Sequence, residues 1–194
     1  MKTEILEDDI LSIDEYIKNR DEIKKNISTI KKSRRMQVGP HANFYFECYE
    51  TMLYQIQEMI FIERGGKEQL LDELNAYNPL VPKGQELITT LMFEIPNEEK
   101  RRNFLHTIGG IEDNIYIEVD GEKIFAKPEG DTERTNEKGK ASSVHFLHFY
   151  FNEKQISLFK DLSIKSCIGF SHINYQHLAI FPNDVRNSLL KDFS

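Results

Sequence analysis

The chain has 194 residues, of which 39% are hydrophobic and 29% are charged, and it contains 13 Phe and 8 Tyr. This length is enough for a domain with a substantial core, and the composition argues against a disordered chain. The formal net charge of −7 gives no overall attraction to nucleic acid or to anionic lipid, so binding to nucleic acid is not expected.

Three features predict a cytoplasmic protein that has no membrane partner. The N-terminus lacks the basic segment and apolar core of a secretory signal. No apolar run approaches the roughly 20 residues that cross a bilayer. Cys48 and Cys167 stand alone, which excludes a Cys-x-x-Cys motif and favours two reduced thiols, although the sequence leaves a pairing between them open.

The first predicted element is a long amphipathic helix over residues 13–33. Ser12 and Glu15 form a capping box, and apolar residues follow at helical spacing. Cations cluster toward its end: Lys24, Lys25, Lys31, Lys32, Arg34 and Arg35. They either complement the helix dipole or dock an acidic partner or an anion, for which Arg34 and Arg35 are the candidate residues.

A strand and a second helix come next. Alternation over residues 43–48 places Tyr45 and Glu47 on the same face of the strand. In the helix over residues 50–64, the apolar stripe leads by the i+4 step to Glu63. A carboxylate has the wrong charge for a helix C-terminus, so Glu63 needs a cationic or metal partner or must turn into water.

The rest of the chain favours strands. After a short helix over residues 70–77, period-two alternation predicts a strand over residues 86–95 that is covered on both faces. Three segments then repeat a strand, an Asn cap and a short helix, with Asn97, Asn152 and Asn183 at the caps. We interpret them as recurrent turns on one sheet, and Asp120-Gly121 predicts a tight hairpin.

These elements predict a single α+β domain over residues 1–194. N-terminal helices pack on a largely antiparallel sheet, with short helices after three strands. The mainly helical portion covers residues 1–80 and the sheet-rich portion residues 81–194. Residues 129–140 contain many charges and no large apolar side chain, which predicts a mobile loop.

Histidines provide one set of candidate ligands. His145 and His148 are three apart on a strand and therefore point to opposite faces. His172 and His177 flank a predicted hairpin loop and could share a metal or an anion across the strand pair. No ligand motif such as His-Glu-x-x-His supports this, and ordinary hydrogen-bonded histidines are the alternative.

His41, Glu47, Glu58 and Glu63 form the second candidate set. Imidazole and carboxylate ligands suit iron, manganese or zinc. We expect these side chains to meet at the junction between the end of the first strand and the start of the second helix. The alternative is a buried hydrogen-bond network, to which Gln55 and Gln57 would contribute.

Enzyme signatures are missing. The sequence has no Gly-x-Gly-x-x-Gly, no Walker loop and no Gly-x-Ser-x-Gly elbow. This favours a protein without catalytic activity, while a pocket enzyme stays open.

Short motifs spread over nearly the whole chain resemble the bacterial family known as domain of unknown function 3501. They include Val38-Gly-Pro-His41, Gln55-Ile-Gln-Glu-Met59, Ala76-Tyr-Asn78, Glu94-Ile-Pro96 and Ser143-Val-His145. The family pattern carries over to His41, Glu47, Gln55, Gln57, Glu58, Asn78, Glu94, His145, His172 and Tyr175. Where the family has Asp-His-Pro, this chain has Ser171-His172-Ile173, which puts a carboxylate beside His172 in doubt.

The family has no established activity. The resemblance implies a link to iron or peroxide metabolism, because its genes resemble neighbours of rubrerythrin-like and iron-sulfur proteins. Our first hypothesis is therefore an accessory protein that binds a metal through His41, Glu47, Glu58 and Glu63, with a rubrerythrin-like or iron-sulfur partner.

Two alternatives remain. The first is a small-molecule binder or enzyme with a pocket between the helices and the sheet. Arg34 and Arg35 would hold an anionic ligand there, and Glu58 or His41 would act as the acid-base group. The second is a protein-protein scaffold.

Overall fold

The computed structural model describes residues 2–130, 135–136 and 139–194. The helices in this part of the chain are α1 (Ile13–Lys32), α2 (Tyr49–Glu63), α3 (Gly66–Tyr77), α4 (Glu98–Thr107), α5 (Glu153–Lys160) and α6 (Asn183–Leu189). The strands are β1 (Arg35–Val38), β2 (Ala42–Phe46), β3 (Glu86–Phe93), β4 (Ile115–Val119), β5 (Glu122–Phe125), β6 (Lys127–Pro128), β7 (Val144–Tyr150), β8 (Ser166–Phe170) and β9 (Leu178–Ile180). The predicted α+β class is confirmed.

The strands form two antiparallel sheets. Sheet I has the order β1-β2-β3-β7-β6, and sheet II has the order β5-β4-β8-β9. Their inner faces share one core, to which Phe44 and Leu91 contribute from sheet I and Ile117 and Ile168 from sheet II. The prediction of one sheet is wrong, because apolar alternation marks a strand's buried face but does not identify its neighbours.

The helical layer covers the outer face of sheet I. Met52, Ile56 and Ile60 of α2 form a second apolar cluster with Ile88 of β3. The side chains of β3 are therefore buried on both faces, as the alternation predicts.

Side-chain caps begin three of the predicted helices. The capping box of Ser12 and Glu15 starts α1, and Asn97 and Asn152 cap α4 and α5. Asn183 is instead the first residue of α6, and the cap position belongs to Pro182. The strand β1 was not predicted, since its four residues directly follow the basic end of α1.

Part of the predicted mobile loop over residues 129–140 can be described. Residues 131–134 and 137–138 lie outside the described residues. Glu129 contacts His148, and Thr135 forms an isolated bridge with Ala141. None of the helices in the described part of the chain combines the length and apolar character that crossing a membrane requires.

Candidate functional site: a cavity between sheet I and the helices

A cavity of about 280 Å³ lies between the outer face of sheet I and the helical layer. Its sheet wall includes Tyr45, Thr90 and Phe146, which the strand register aligns in one row across β2, β3 and β7. The remaining lining residues are Lys31, Arg34, Phe46, Glu47, Thr51, Met52, Gln55, Tyr77, Leu80, Met92 and Val144. This volume lies just below the usual range for ligand pockets, which suits a small metabolite.

Glu47 is the buried acidic group of this cavity. It follows β2, and only 7% of its surface is exposed. The Thr51 hydroxyl donates to one carboxylate oxygen at 2.7 Å, and the Thr90 hydroxyl donates to the other at 2.6 Å. Among the described residues, no cation lies within 4 Å of this carboxylate.

The carboxylate has capacity for further donors. An ionised carboxylate offers about four acceptor sites, and the two hydroxyls use two of them. Buried charges in proteins are normally paired. Arg34 donates to the Glu47 carbonyl and interacts electrostatically with Glu47, but its guanidinium lies more than 4 Å from the carboxylate oxygens. A ligand that brings a cation or several N–H groups would therefore supply the direct partner that the carboxylate lacks.

The cavity combines an apolar surface with phenol rings. Met52 and Leu80 are buried on the helical side, and Phe146 contributes an aromatic ring on the sheet side. Burial raises the pKa of Tyr77 and of Tyr45, and a hydrogen bond to Glu94 adds to the effect at Tyr45. Both phenols are therefore neutral hydrogen-bonding groups near pH 7.

Arg34, which was predicted to bind an anion, is buried and bonded to other parts of the protein. It is 3% exposed, and it donates to the carbonyls of Phe46, Glu47 and Ser188 and to the Asp192 carboxylate. Its donors are largely committed to the protein. Arg34 therefore joins the start of the sheet to the C-terminal residues, and little of its hydrogen-bonding capacity remains for an anion.

Arg35 is the accessible member of the predicted pair. Its side chain is 46% exposed, it donates to Asn43 at 2.8 Å, and it lies 3.6 Å from the Glu94 carboxylate. It lines a separate groove beside the cavity.

Glu58 is paired with α1. Arg20 donates to both of its carboxylate oxygens at 2.8 Å, and Tyr16 donates a further hydrogen bond. The Arg20 hydrogen bonds, assisted by Tyr16, hold the pKa of Glu58 at about 2. Glu58 is therefore ionised and paired near neutral pH, which does not suit the predicted acid-base role.

Glu63 and His41 do not line the cavity. Glu63 is exposed at the end of α2 and accepts a hydrogen bond from Gln69 at 3.1 Å, so it turns into water. The His41 ring packs edge-on against Phe104, with centroids 4.9 Å apart. The expectation that these two residues meet Glu47 and Glu58 at one point is wrong, because each has its own separate partners.

His172 and His177 are not opposite each other. The turn closes with a bridge between His172 and Tyr175, and His172 contacts the carbonyl of Gly109 at 3.2 Å. His177 packs against the Tyr175 ring with centroids 4.6 Å apart. The register of this turn therefore does not form the predicted pair.

Metal binding at the predicted residues stays a prediction. Across residues 2–130, 135–136 and 139–194, no group of three or more His, Cys, Asp or Glu side chains is arranged to hold a metal ion. The separate locations of His41, Glu47, Glu58 and Glu63 agree with this finding.

Several residues of the family pattern have architectural roles. The Gln57 amide bonds both backbone groups of Leu11, and the Asn78 amide does the same for Ile5. These four hydrogen bonds fix the N-terminal segment to the helical layer. No local pattern predicts these contacts, because the amides act over 46 and 73 residues of chain.

Tyr175 secures the turn between β1 and β2. Its hydroxyl donates to the carbonyl of Val38 at 2.8 Å and accepts from the amides of His41 and Ala42 at 3.2 Å. The same turn needs Gly39, which has a φ of 69° and would place a Cβ 2.6 Å from the His177 ring. This turn positions β2 and therefore the cavity wall.

A family model described as "Protein of unknown function (DUF3501)" matches residues 4–193. The chain belongs to this family. The membership confirms the resemblance found in the sequence and brings no activity with it. No curated protein sequence matches the chain.

A solved structure that matches nearly the whole length of this chain has been described. It is the crystal structure of a novel protein of unknown function from Burkholderia pseudomallei K96243. The two chains are 35% identical, the TM-score is 0.90, and the match covers 98% of this chain and 99% of the other. The fold is therefore shared at full length, whereas the function has to be argued from the cavity.

Proposed function

We propose that this protein binds a small organic molecule with a protonated amine in the cavity between sheet I and the helices. The observation that carries the proposal is the buried Glu47 carboxylate, which two hydroxyls hold in the cavity wall and which has no described cation within 4 Å. An amine supplies a direct ion-pair partner and further hydrogen-bond donors to the carboxylate. The apolar part of the ligand would lie against Met52, Leu80 and Phe146.

Small ring-bearing amines test the proposal. Tyramine, benzylamine and histamine each combine a protonated amine with a ring that can pack against the apolar wall of the cavity. We expect at least one of them to raise the melting temperature of the protein, because a ligand that binds only the folded state stabilises it. Isothermal titration calorimetry then gives the Kd of that amine.

Glu47→Gln is the decisive variant. It keeps the shape and can still bond with Thr51 and Thr90, but it removes the charge. We expect affinity for the amine to fall about 10- to 100-fold, as for the loss of a charge-assisted hydrogen bond of about 1.5–3 kcal/mol. Glu63→Gln is the matched control, since Glu63 is exposed and does not line the cavity.

Two results would overturn the proposal. One is that none of the three amines stabilises the wild-type protein. The other is equal binding by the wild type and Glu47→Gln, with both proteins shown to be folded by circular dichroism.

The metal and redox hypothesis has no support from the cavity or from the comparisons, and it stays a prediction. Its test is elemental analysis of protein purified without an affinity tag. Iron, manganese or zinc near one equivalent would support it, whereas trace amounts would argue against it. Co-purification from a native extract tests the predicted rubrerythrin-like or iron-sulfur partner and the scaffold alternative.

A further inference from the structure

A second depression lies beside the cavity and is strongly basic. This groove has a volume of about 320 Å³, and Lys24, Lys31, Lys32 and Arg35 line it together with Tyr45 and Tyr54. Among the described residues, none of its three lysines has a carboxylate within 4 Å. Together with Arg35, which is paired with Glu94 at 3.6 Å, they place four cations on one surface of a chain whose net charge is −7.

The helix dipole does not account for this cluster. Cations complement a helix C-terminus only within its last turn. Lys31 and Lys32 are in the last turn of α1, but Lys24 lies two turns earlier and Arg35 belongs to β1. The four residues share the groove rather than a position in the helix.

The groove and the cavity adjoin. Lys31 and Tyr45 line both of them. A ligand that binds Glu47 and extends past Lys31 would reach the basic groove. The two sites present opposite charges to the two ends of such a molecule.

We infer that the ligand carries an amine at one end and a phosphate group at the other, with the phosphate in the groove of Lys24, Lys31, Lys32 and Arg35. This inference rests on the proposed function, because it assigns the amine to Glu47. A phosphate suits the groove better than a single carboxylate, since several cations can share its negative charge and its oxygens accept several hydrogen bonds.

Three matched probes separate the two ends. Tyramine carries the amine and the ring, phenyl phosphate carries the ring and the phosphate, and tyramine O-phosphate carries all three. We expect tyramine O-phosphate to bind the wild type at least about tenfold more tightly than either half, since linked groups bind with a high effective concentration. The gain should shrink as sodium chloride is added, because salt screens exposed charges.

The double variant Lys24→Gln/Lys32→Gln tests the groove. Both lysines line the groove but not the cavity, so tyramine binding should stay unchanged. The advantage of tyramine O-phosphate should fall to less than about threefold. Lys18→Gln/Lys25→Gln is the matched control, because it removes two exposed cations of α1 that lie outside the groove.

The outcomes distinguish the two claims. If tyramine binds through Glu47 and the phosphate adds no affinity, the inference is overturned and the proposed function stands. If phenyl phosphate binds as tightly as tyramine O-phosphate and Glu47→Gln has no effect on either, the groove is an anion site unconnected to the cavity, which overturns both claims. If none of the three probes binds, the inference is overturned, and the proposed function is overturned with it when benzylamine and histamine also fail to bind.

Discussion

His148 provides the sharpest test of the energetics outside the cavity. Its Nδ1 lies 2.9 Å from a carboxylate oxygen of Glu86, and its Nε2 lies 2.6 Å from one of Glu129. Only the doubly protonated imidazole donates to both neighbours. Burial lowers the pKa of His148, but the hydrogen bonds of the two carboxylates outweigh it, so the pKa is raised above its usual value.

The expected cost of removing this imidazole follows from its burial. In His148→Leu the Glu86 side chain, which is 7% exposed, loses its cation. Breaking a buried pair in this way costs about 3–5 kcal/mol. With an unfolding entropy of about 2.1 cal/mol/K per residue, the melting temperature should fall by about 7–12 °C at pH 6. Scanning calorimetry measures this shift directly.

The double variant His148→Leu/Glu86→Leu also removes the Glu86 carboxylate, which the single variant leaves buried without a cation. It should therefore recover part of the lost stability. The same double variant is the reference against which the pH dependence of wild-type stability is measured. A raised histidine pKa contributes stability that is fully present below the unfolded value near 6.5 and is lost as pH rises through the folded value. Wild-type stability should therefore decline relative to the double variant from pH 6 to pH 9. A shift below about 2 °C in His148→Leu, or a constant difference across that pH range, would refute the reasoning.

Three further predictions follow from buried polar contacts. Arg34→Leu should lower the free energy of unfolding, measured with urea, by about 3–5 kcal/mol, because the acceptors around the guanidinium lose their partner. Arg35→Leu, at a half-exposed position, should lower it by less than about 1 kcal/mol. Equal losses in the two variants would contradict the structural role of Arg34. Tyr175→Phe should cost about 1–3 kcal/mol by the same assay because three backbone groups lose a partner, and an unchanged midpoint would argue against that role. Burial raises the pKa of Cys48 to about 11. Alkylation of its thiol at pH 8, followed by mass spectrometry, should therefore be at least about 100-fold slower than that of free cysteine. Rapid labelling of the folded protein would contradict the burial of this thiol.

Local patterns predict individual elements well. The capping box of Ser12 and Glu15 and the caps at Asn97 and Asn152 depend on neighbours three residues away, so the sequence contains the whole interaction. The alternation of residues 86–95 predicts β3 because its two faces meet two different apolar layers. The division of the strands between two sheets depends on long-range pairing, which alternation does not encode.

The site could be predicted only in part. Alternation places Tyr45 and Glu47 on the same face of the predicted strand, and both line the cavity. The choice of Thr90 as a partner depends on the register between β2 and β3, which no local pattern specifies. The burial of Arg34 could not be predicted, because its contact with Asp192 joins residues 158 apart in the chain.

A crystal structure of the protein soaked in tyramine tests the central claim most directly. We expect ligand density in the cavity between sheet I and the helices, with the amine nitrogen about 3 Å from the Glu47 carboxylate. Density for tyramine at another site, with the cavity holding only water, would contradict it.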